Sequence, residues 1–153
     1  MSRTILVPVD GSPLSWRALE HALEIVDDGT IVAVHVLDPT DPGYSLAEDV
    51  DVRTEPQHGS PEWYDRASEK QQQLFEEVRD RSAAHDVEIQ TDDVTGDPGR
   101  EIPEYAAAND VDHVVIGSHG RTGPTRVLLG ATAERVARRS PVPVTVVREQ
   151  ADG

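Results

Sequence analysis

No cysteine occurs in this 153-residue chain, which excludes disulfide staples, thiolate catalysis and Cys-ligated zinc. Lysine is almost missing as well, since Lys70 is the single one. A Walker phosphate loop requires lysine after its second glycine, so that nucleotide site is excluded. No apolar run approaches the roughly 18 residues that cross a bilayer. Met1-Ser2-Arg3 leads straight into a strand pattern, with no basic-plus-apolar signal segment. The histidines are scattered, without a ligand spacing such as His-x-x-x-His, so no built-in metal site is expected. The expectation is a soluble, cytoplasmic protein with no membrane partner.

Positive charge is scarce too: 29 acidic residues stand against 14 basic ones, a net charge of −15. Such a surface gains nothing from counterion release on nucleic acid and is repelled by anionic membranes. Arg135, Arg138 and Arg139 do cluster, but in the last turns of a helical segment, where cations favour the helix dipole. The charge balance also suggests adaptation to high internal salt. Self-repulsion weakens a compact domain in dilute buffer, whereas at about 1 M salt the Debye length falls to roughly 3 Å and most repulsion is screened. An ordinary acidic protein from a GC-rich genome is the plainer alternative. The depletion of lysine in favour of arginine and acids favours the halophilic one.

The length suits one domain over residues 1–153. Arg3 to Asp10 is a β-rich apolar run, and its continuity suits a strand covered on both faces. Ser12-Pro13 supplies an N-cap with proline at the first helical position. Leu14, Ala18, Leu19, Ala22, Leu23 and Val26 recur at helical spacing, and Gly29 ends that helix. Thr30 to Leu37 reads as a second buried strand. Asp38 to Ser60, rich in acids, proline and glycine, reads as a long surface loop. A charged helix is expected from Pro61 to about His85, and a more exposed strand over Val87–Thr91. A third helix starts at Gly96-Asp97-Pro98 and runs to about Ala108, with Pro103 kinking it or delaying its start. Asp112–Ile116 gives a fourth strand, Arg126–Arg139 a fourth helix and Val142–Val147 a fifth strand. This alternation predicts an α/β fold: a single-domain open parallel five-stranded sheet with helices on both faces, Rossmann-like. Ligands of such sheets bind at the topological switch point, beyond the strands' C-terminal ends.

At that end the apolar run Val114-Val115-Ile116 stops at Gly117, Gly120 follows, and Gly130-Ala131-Thr132 opens onto an amphipathic segment. Glycines admit backbone N–H groups close to a ligand. A helix start adds free N–H groups and the positive end of a dipole, a combination that suits phosphate. The plainer reading is a tight turn with close helix–sheet packing. Asp10, ending the first strand, could accept from ribose hydroxyls or an adenine amine, or could simply close its own turn. Val36, ending the second strand, could wall a base or sit in the core. His119 lies between two glycines, but no nucleophile–base pair accompanies it, so no catalytic residue is assigned. A dinucleotide fingerprint is excluded, because Asp10-Gly11-Ser12-Pro13-Leu14 holds one glycine.

Together, Ile5-Leu6-Val7-Pro8-Val9-Asp10-Gly11-Ser12 and Gly117-x2-Gly120-x9-Gly130 strongly resemble the universal stress protein family. His35-Val36, Ala133-Glu134-Arg135-Val136 and Pro141-Val142-Pro143-Val144 agree with that resemblance. It covers the whole chain except Asp38 to about Pro61. It implies an adenine-nucleotide-binding domain, usually a homodimer paired through the last strand. It puts Pro8, Val9 and Asp10 under the base and ribose, and Val36 beside the adenine. Ile116, Gly117 and Gly120 would flank the ribose and phosphates, and Gly130, Ala131 and Thr132 would cradle the phosphates. The family carries Ser or Thr after the third glycine where this chain has Ala131, so a hydroxyl contact is lost unless Thr132 replaces it. The expectation is a dimeric stress-response regulator that binds ATP, with any Mg²⁺ brought by the nucleotide. A dimeric interaction protein with a weak or vestigial pocket is the alternative, and a slow ATP hydrolase comes third. The partner expected besides the nucleotide is a second copy, paired over Val142 to Val147.

Overall fold

The computed structural model describes residues 3–40, 44–46, 56–57, 59–118 and 130–148. Its elements are β1 (Arg3–Pro8), α1 (Pro13–Ile25), β2 (Gly29–Leu37), α2 (Pro61–Ser82), β3 (Glu88–Thr95), α3 (Pro98–Ala108), β4 (His113–Gly117), α4 (Ala131–Arg139) and β5 (Val144–Val147). The five strands form one parallel sheet in the order β3-β2-β1-β4-β5. This is the expected open α/β architecture. Successive strand side chains point to opposite faces, and each face buries its own set. Ile5, Val7, Ile31 and Ala33 pack with Leu19 and Ala22 of α1 and Phe75 and Val78 of α2. Leu6, Val32, Val34 and Val114 pack with Ile102 and Ala106 of α3 and Ala133 and Val136 of α4. Each valine, leucine or isoleucine so buried contributes about 1.5–3 kcal/mol, which is why these strands are continuously apolar. Among the described residues no helix is long and apolar enough to cross a membrane.

Helix starts follow their sequence signals. The Ser12 hydroxyl accepts from the Ser15 N–H at 3.2 Å ahead of Pro13. Ser60 does the same for Trp63 at 3.1 Å ahead of Pro61. Chain order reverses beside β1: β2 and β3 lie to one side, β4 and β5 to the other. A crevice therefore forms between the C-terminal ends of β1 and β4.

Several boundaries differ from the sequence expectation. β3 runs on to Thr95 and pairs with β2 from Thr30↔Glu88 to Leu37↔Thr95. Asp92 and Asp93 are tolerated there because β3 is an edge strand and both stay exposed. Helix α3 runs through Pro103 unbroken, its ring sacrificing only the N–H that would bond the Gly99 carbonyl. Helix α4 begins at Ala131 and not Arg126, because Gly130 is an extended N-cap (φ −69°, ψ 165°); residues 126–129 lie outside the described residues. β1 ends at Pro8, two residues earlier than expected, and β5 begins after Pro143, which has no N–H for a ladder.

Three residues of the expected surface loop at 38–60 are interior. Tyr44 is fully buried, with its ring 5.1 Å from that of Trp63, and Ser45 and Leu46 are buried beside it. Burial of an aromatic and a leucine outweighs the left-handed backbone of Tyr44 and Ser45 (φ 56° and 58°). Residues 41–43, 47–55 and 58 of that segment lie outside the described residues.

Candidate functional site

A cavity of about 350 Å³ lies at the C-terminal end of the sheet, between the ends of β1, β2 and β4 and the starts of α3 and α4. Pro8, Val9, Asp10, Val36, Ile116, Gly117, Gly130, Ala131 and Thr132 all line it. The sequence reading grouped these nine from four separate stretches of chain. Gly120 and His119 lie outside the described residues.

Each comes to the cavity for a local reason. Gly11 turns the chain after β1 with a left-handed φ of 82°. Within that turn one Asp10 carboxylate oxygen, Oδ1, accepts from the Ser12 N–H at 2.9 Å. Asp10 thus closes its own turn, as the plainer reading held, and also lines the cavity. Val9, Val36 and Ile116 are buried and give the cavity an apolar wall. At Gly117 a Cβ would lie 2.9 Å from the Leu14 Cβ, so this glycine is required by the packing of α1 against β4.

The start of α4 supplies the polar counterpart. The Gly130 N–H donates to the Ser118 carbonyl at 2.5 Å, and the Gly130 carbonyl accepts from the Glu134 N–H at 2.9 Å. Gly130 therefore offers space and a helix start, while its own N–H is taken. The N–H groups of Ala131, Thr132 and Ala133 precede the helical ladder, at the positive end of the dipole. Ala131 and Thr132 are exposed there. The Ser118 N–H in turn donates to the Val147 carbonyl at 2.7 Å, which ties the exit of β4 to β5.

The cavity is also lined by residues that the sequence did not assign to a site, among them Ser12, Ser15, His35, Asp38, Ser45, Asp97, Pro98 and Ile102. The buried His35 ring bridges elements, with Nδ1 2.6 Å from Gln71 Oε1 and Nε2 3.3 Å from the Ser45 carbonyl. Asp38 closes a turn by accepting from the Thr40 N–H at 2.9 Å and its hydroxyl at 2.6 Å. Asp97 is the N-cap residue of α3, and its carboxylate accepts twice from Arg135 of α4, at 3.1 and 2.5 Å. That guanidinium holds the Asp97 carboxyl below its ordinary value. With β3 expected to end at Thr91 and running in fact to Thr95, the sequence did not set Asp97 at the same end of the sheet as Asp10. Among the described residues no cluster of three metal-ligating side chains occurs.

The sequence matches the universal stress protein family over residues 1–148. It is 33% identical over 150 residues to universal stress protein MJ0531 of Methanocaldococcus jannaschii, covering 96% of this chain and 82% of that one. Protein MJ0577 of the same organism superposes with a TM-score of 0.79 at 24% identity, over 99% of both chains. A universal stress protein family protein of Arabidopsis thaliana, At3g01520, solved with AMP bound, superposes with a TM-score of 0.66 at 20% identity, over 98% of this chain and 94% of that one.

Proposed function

The chain belongs to the universal stress protein family, and from that premise we propose that its cavity binds an adenine nucleotide, ATP, with Mg²⁺ carried by the phosphates. The observation that carries this reading is the meeting, in one cavity, of an apolar wall and a helix start. Val36 and Ile116 offer a face for a base, and Ala131 and Thr132 offer N–H groups for phosphate. A volume of about 350 Å³ suits a small ligand. The AMP bound by the Arabidopsis relative supports the choice of adenine. Asp10 takes the ribose or base edge, while Pro8, Val9 and Gly117 shape the floor. Gly120 joins the phosphate side by resemblance alone.

The protein acts as a nucleotide-dependent regulator and works as a homodimer. The two sheet edges differ in a way that supports pairing through β5. β3 exposes Glu88, Asp92 and Asp93, whereas β5 is Val144-Thr145-Val146-Val147. Charged edges resist strand addition and an apolar one invites it. Turnover is not assigned, since no nucleophile–base pair lines the described cavity. Ala131 favours a second reading, an interaction protein with a vestigial pocket, because a hydroxyl is missing where phosphate would sit.

Calorimetric titration with ATP in molar KCl, with and without Mg²⁺, separates the two. Binding by the wild type and its loss in Gly130→Val, whose side chain would crowd the cradle, supports the nucleotide reading. An ATP-silent wild type leaves the vestigial pocket. Equal affinities in the two proteins would remove Gly130 from the cradle.

A further inference from the structure

The cavity described above carries three aspartates, Asp10, Asp38 and Asp97, and among its described lining residues there is no lysine or arginine. A polyphosphate entering such a site meets carboxylates of its own sign. Asp97 is set apart by what holds it. Both its oxygens accept from the Arg135 guanidinium, at 3.1 and 2.5 Å, in a fork-to-fork pair between α3 and α4. The chain makes room for that pair. A Cβ at Gly99 would stand 2.7 Å from the Arg135 Cζ and 2.8 Å from two of its nitrogens, so the guanidinium rests on the bare backbone of the first turn of α3. Arg135 lies on the helix whose start supplies the phosphate-facing N–H groups, and Asp97 lies in the cavity wall.

The pair is a poor candidate for a stability device. Its side chains are 42% and 41% exposed, so solvent screens part of what the bidentate geometry contributes to stability. Its charge bookkeeping is the more consequential feature. With Arg135 in place the Asp97 wall presents a neutral pair to the ligand; without it, a bare carboxylate. We propose that Arg135 is a positioning residue that cancels the Asp97 charge, so that the cavity accepts an anionic phosphate chain. The proposal rests on the nucleotide reading above and adds a residue that does not itself line the cavity.

The test compares ATP, AMP and adenosine by calorimetry on the full chain. Arg135→Gln is expected to weaken ATP roughly tenfold, AMP less, and adenosine by under about twofold, because the penalty scales with ligand charge. Adding Asp97→Asn to that variant should return ATP to within about twofold of wild type, and Asp97→Asn alone should leave ATP binding intact or tighter. The Arg135→Gln deficit should shrink at molar KCl. Loss of ATP and adenosine alike, or a loss in Asp97→Asn alone, would make the pair a structural clamp and overturn the proposal. If Arg135→Gln misfolds by its melting curve, Arg135→Lys and Asp97→Asn carry the test, since the first keeps the charge and the second removes the need for it. A wild type that binds none of the three ligands overturns the nucleotide reading and this proposal together. Wild-type binding without the graded loss overturns this proposal alone.

Discussion

Ala131 occupies the first turn of α4 with an exposed methyl, at the position where the family resemblance implies a hydroxyl. A hydrogen bond to a charged group contributes about 1.5–3 kcal/mol, so Ala131→Ser should tighten ATP about tenfold or more while leaving adenosine unchanged. Titration of both ligands checks this, and a gain for adenosine too would point to helix capping as its cause. Asp10 has two roles to separate. Its Oδ1 accepts from the Ser12 N–H, and Asp10→Asn keeps an amide oxygen for that bond while removing the charge. The variant should bind adenosine more weakly, with inorganic triphosphate unaffected or tighter. Equal losses for adenosine and triphosphate would return Asp10 to the turn alone. Gly117 marks a limit of sequence reading at this scale. Its spacing suggested a ligand, and a Cβ there collides with Leu14; sequence alone does not say which neighbour a glycine must admit.

Elements were legible wherever a local signal coincided with burial. Ser12-Pro13 and Ser60-Pro61 start helices because capping and a fixed φ act within one turn. β2 was legible because both of its faces are covered. The full length of β3 was hidden, since Asp92 and Asp93 are poor strand formers and only pairing with β2 recruits them. The burial of Tyr44 was hidden because its partner, Trp63, lies across a segment with no period. Nine cavity residues were legible through the strand ends and the family resemblance. Asp97 with Arg135 and His35 with Gln71 were not, because side-chain pairs between elements leave no periodic trace.

In β5 the carbonyls of Pro143 and Val147 face β4, so by alternation the N–H and C=O of Val146 point outward from the edge. Val146→Pro removes an outward donor with the β4 pairing kept, and should turn dimers into monomers by light scattering. A wild type that is monomeric at tens of micromolar in high salt would refute pairing through β5. At the opposite end of the sheet, His113 sits between Arg3 at 3.4 Å and Thr145 at 2.7 Å. Burial first, then Arg3 and His21, lower its pKa from 6.5. The folded state thus favours neutral His113. Its stabilisation is complete above pH 6.5 and is lost as pH falls through the lowered folded value. Urea unfolding between pH 7 and 5 should show a steeper loss for wild type than for His113→Gln, and parallel curves would contradict this.

On the scale of the whole molecule, salt acts in two opposing directions. Exposed ion pairs such as Arg81–Glu77, Arg138–Glu134 and Arg100–Glu101 weaken as salt rises. Self-repulsion among the excess acids weakens as well, and that stabilises. The counts decide the sign. With 29 acidic and 14 basic residues, pairing every cation would still leave 15 carboxylates unmatched. Each exposed pair is worth about 0–1 kcal/mol, so its loss is small beside the relief of that surplus. The melting temperature should therefore rise as KCl goes from about 0.1 to about 1 M, where the Debye length shrinks from about 10 to about 3 Å. A rise of about 2–8 °C is the size expected if screening recovers about 1–2 kcal/mol in a domain of this length. Most of the gain should come below about 1 M, since screening is then nearly complete, and NaCl should match KCl. A flat or falling curve would refute adaptation to salt and leave the nucleotide reading standing. A rise that continues undiminished to several molar, or that depends on the cation, would assign the stabilisation to salt-strengthened burial of apolar surface or to bound ions.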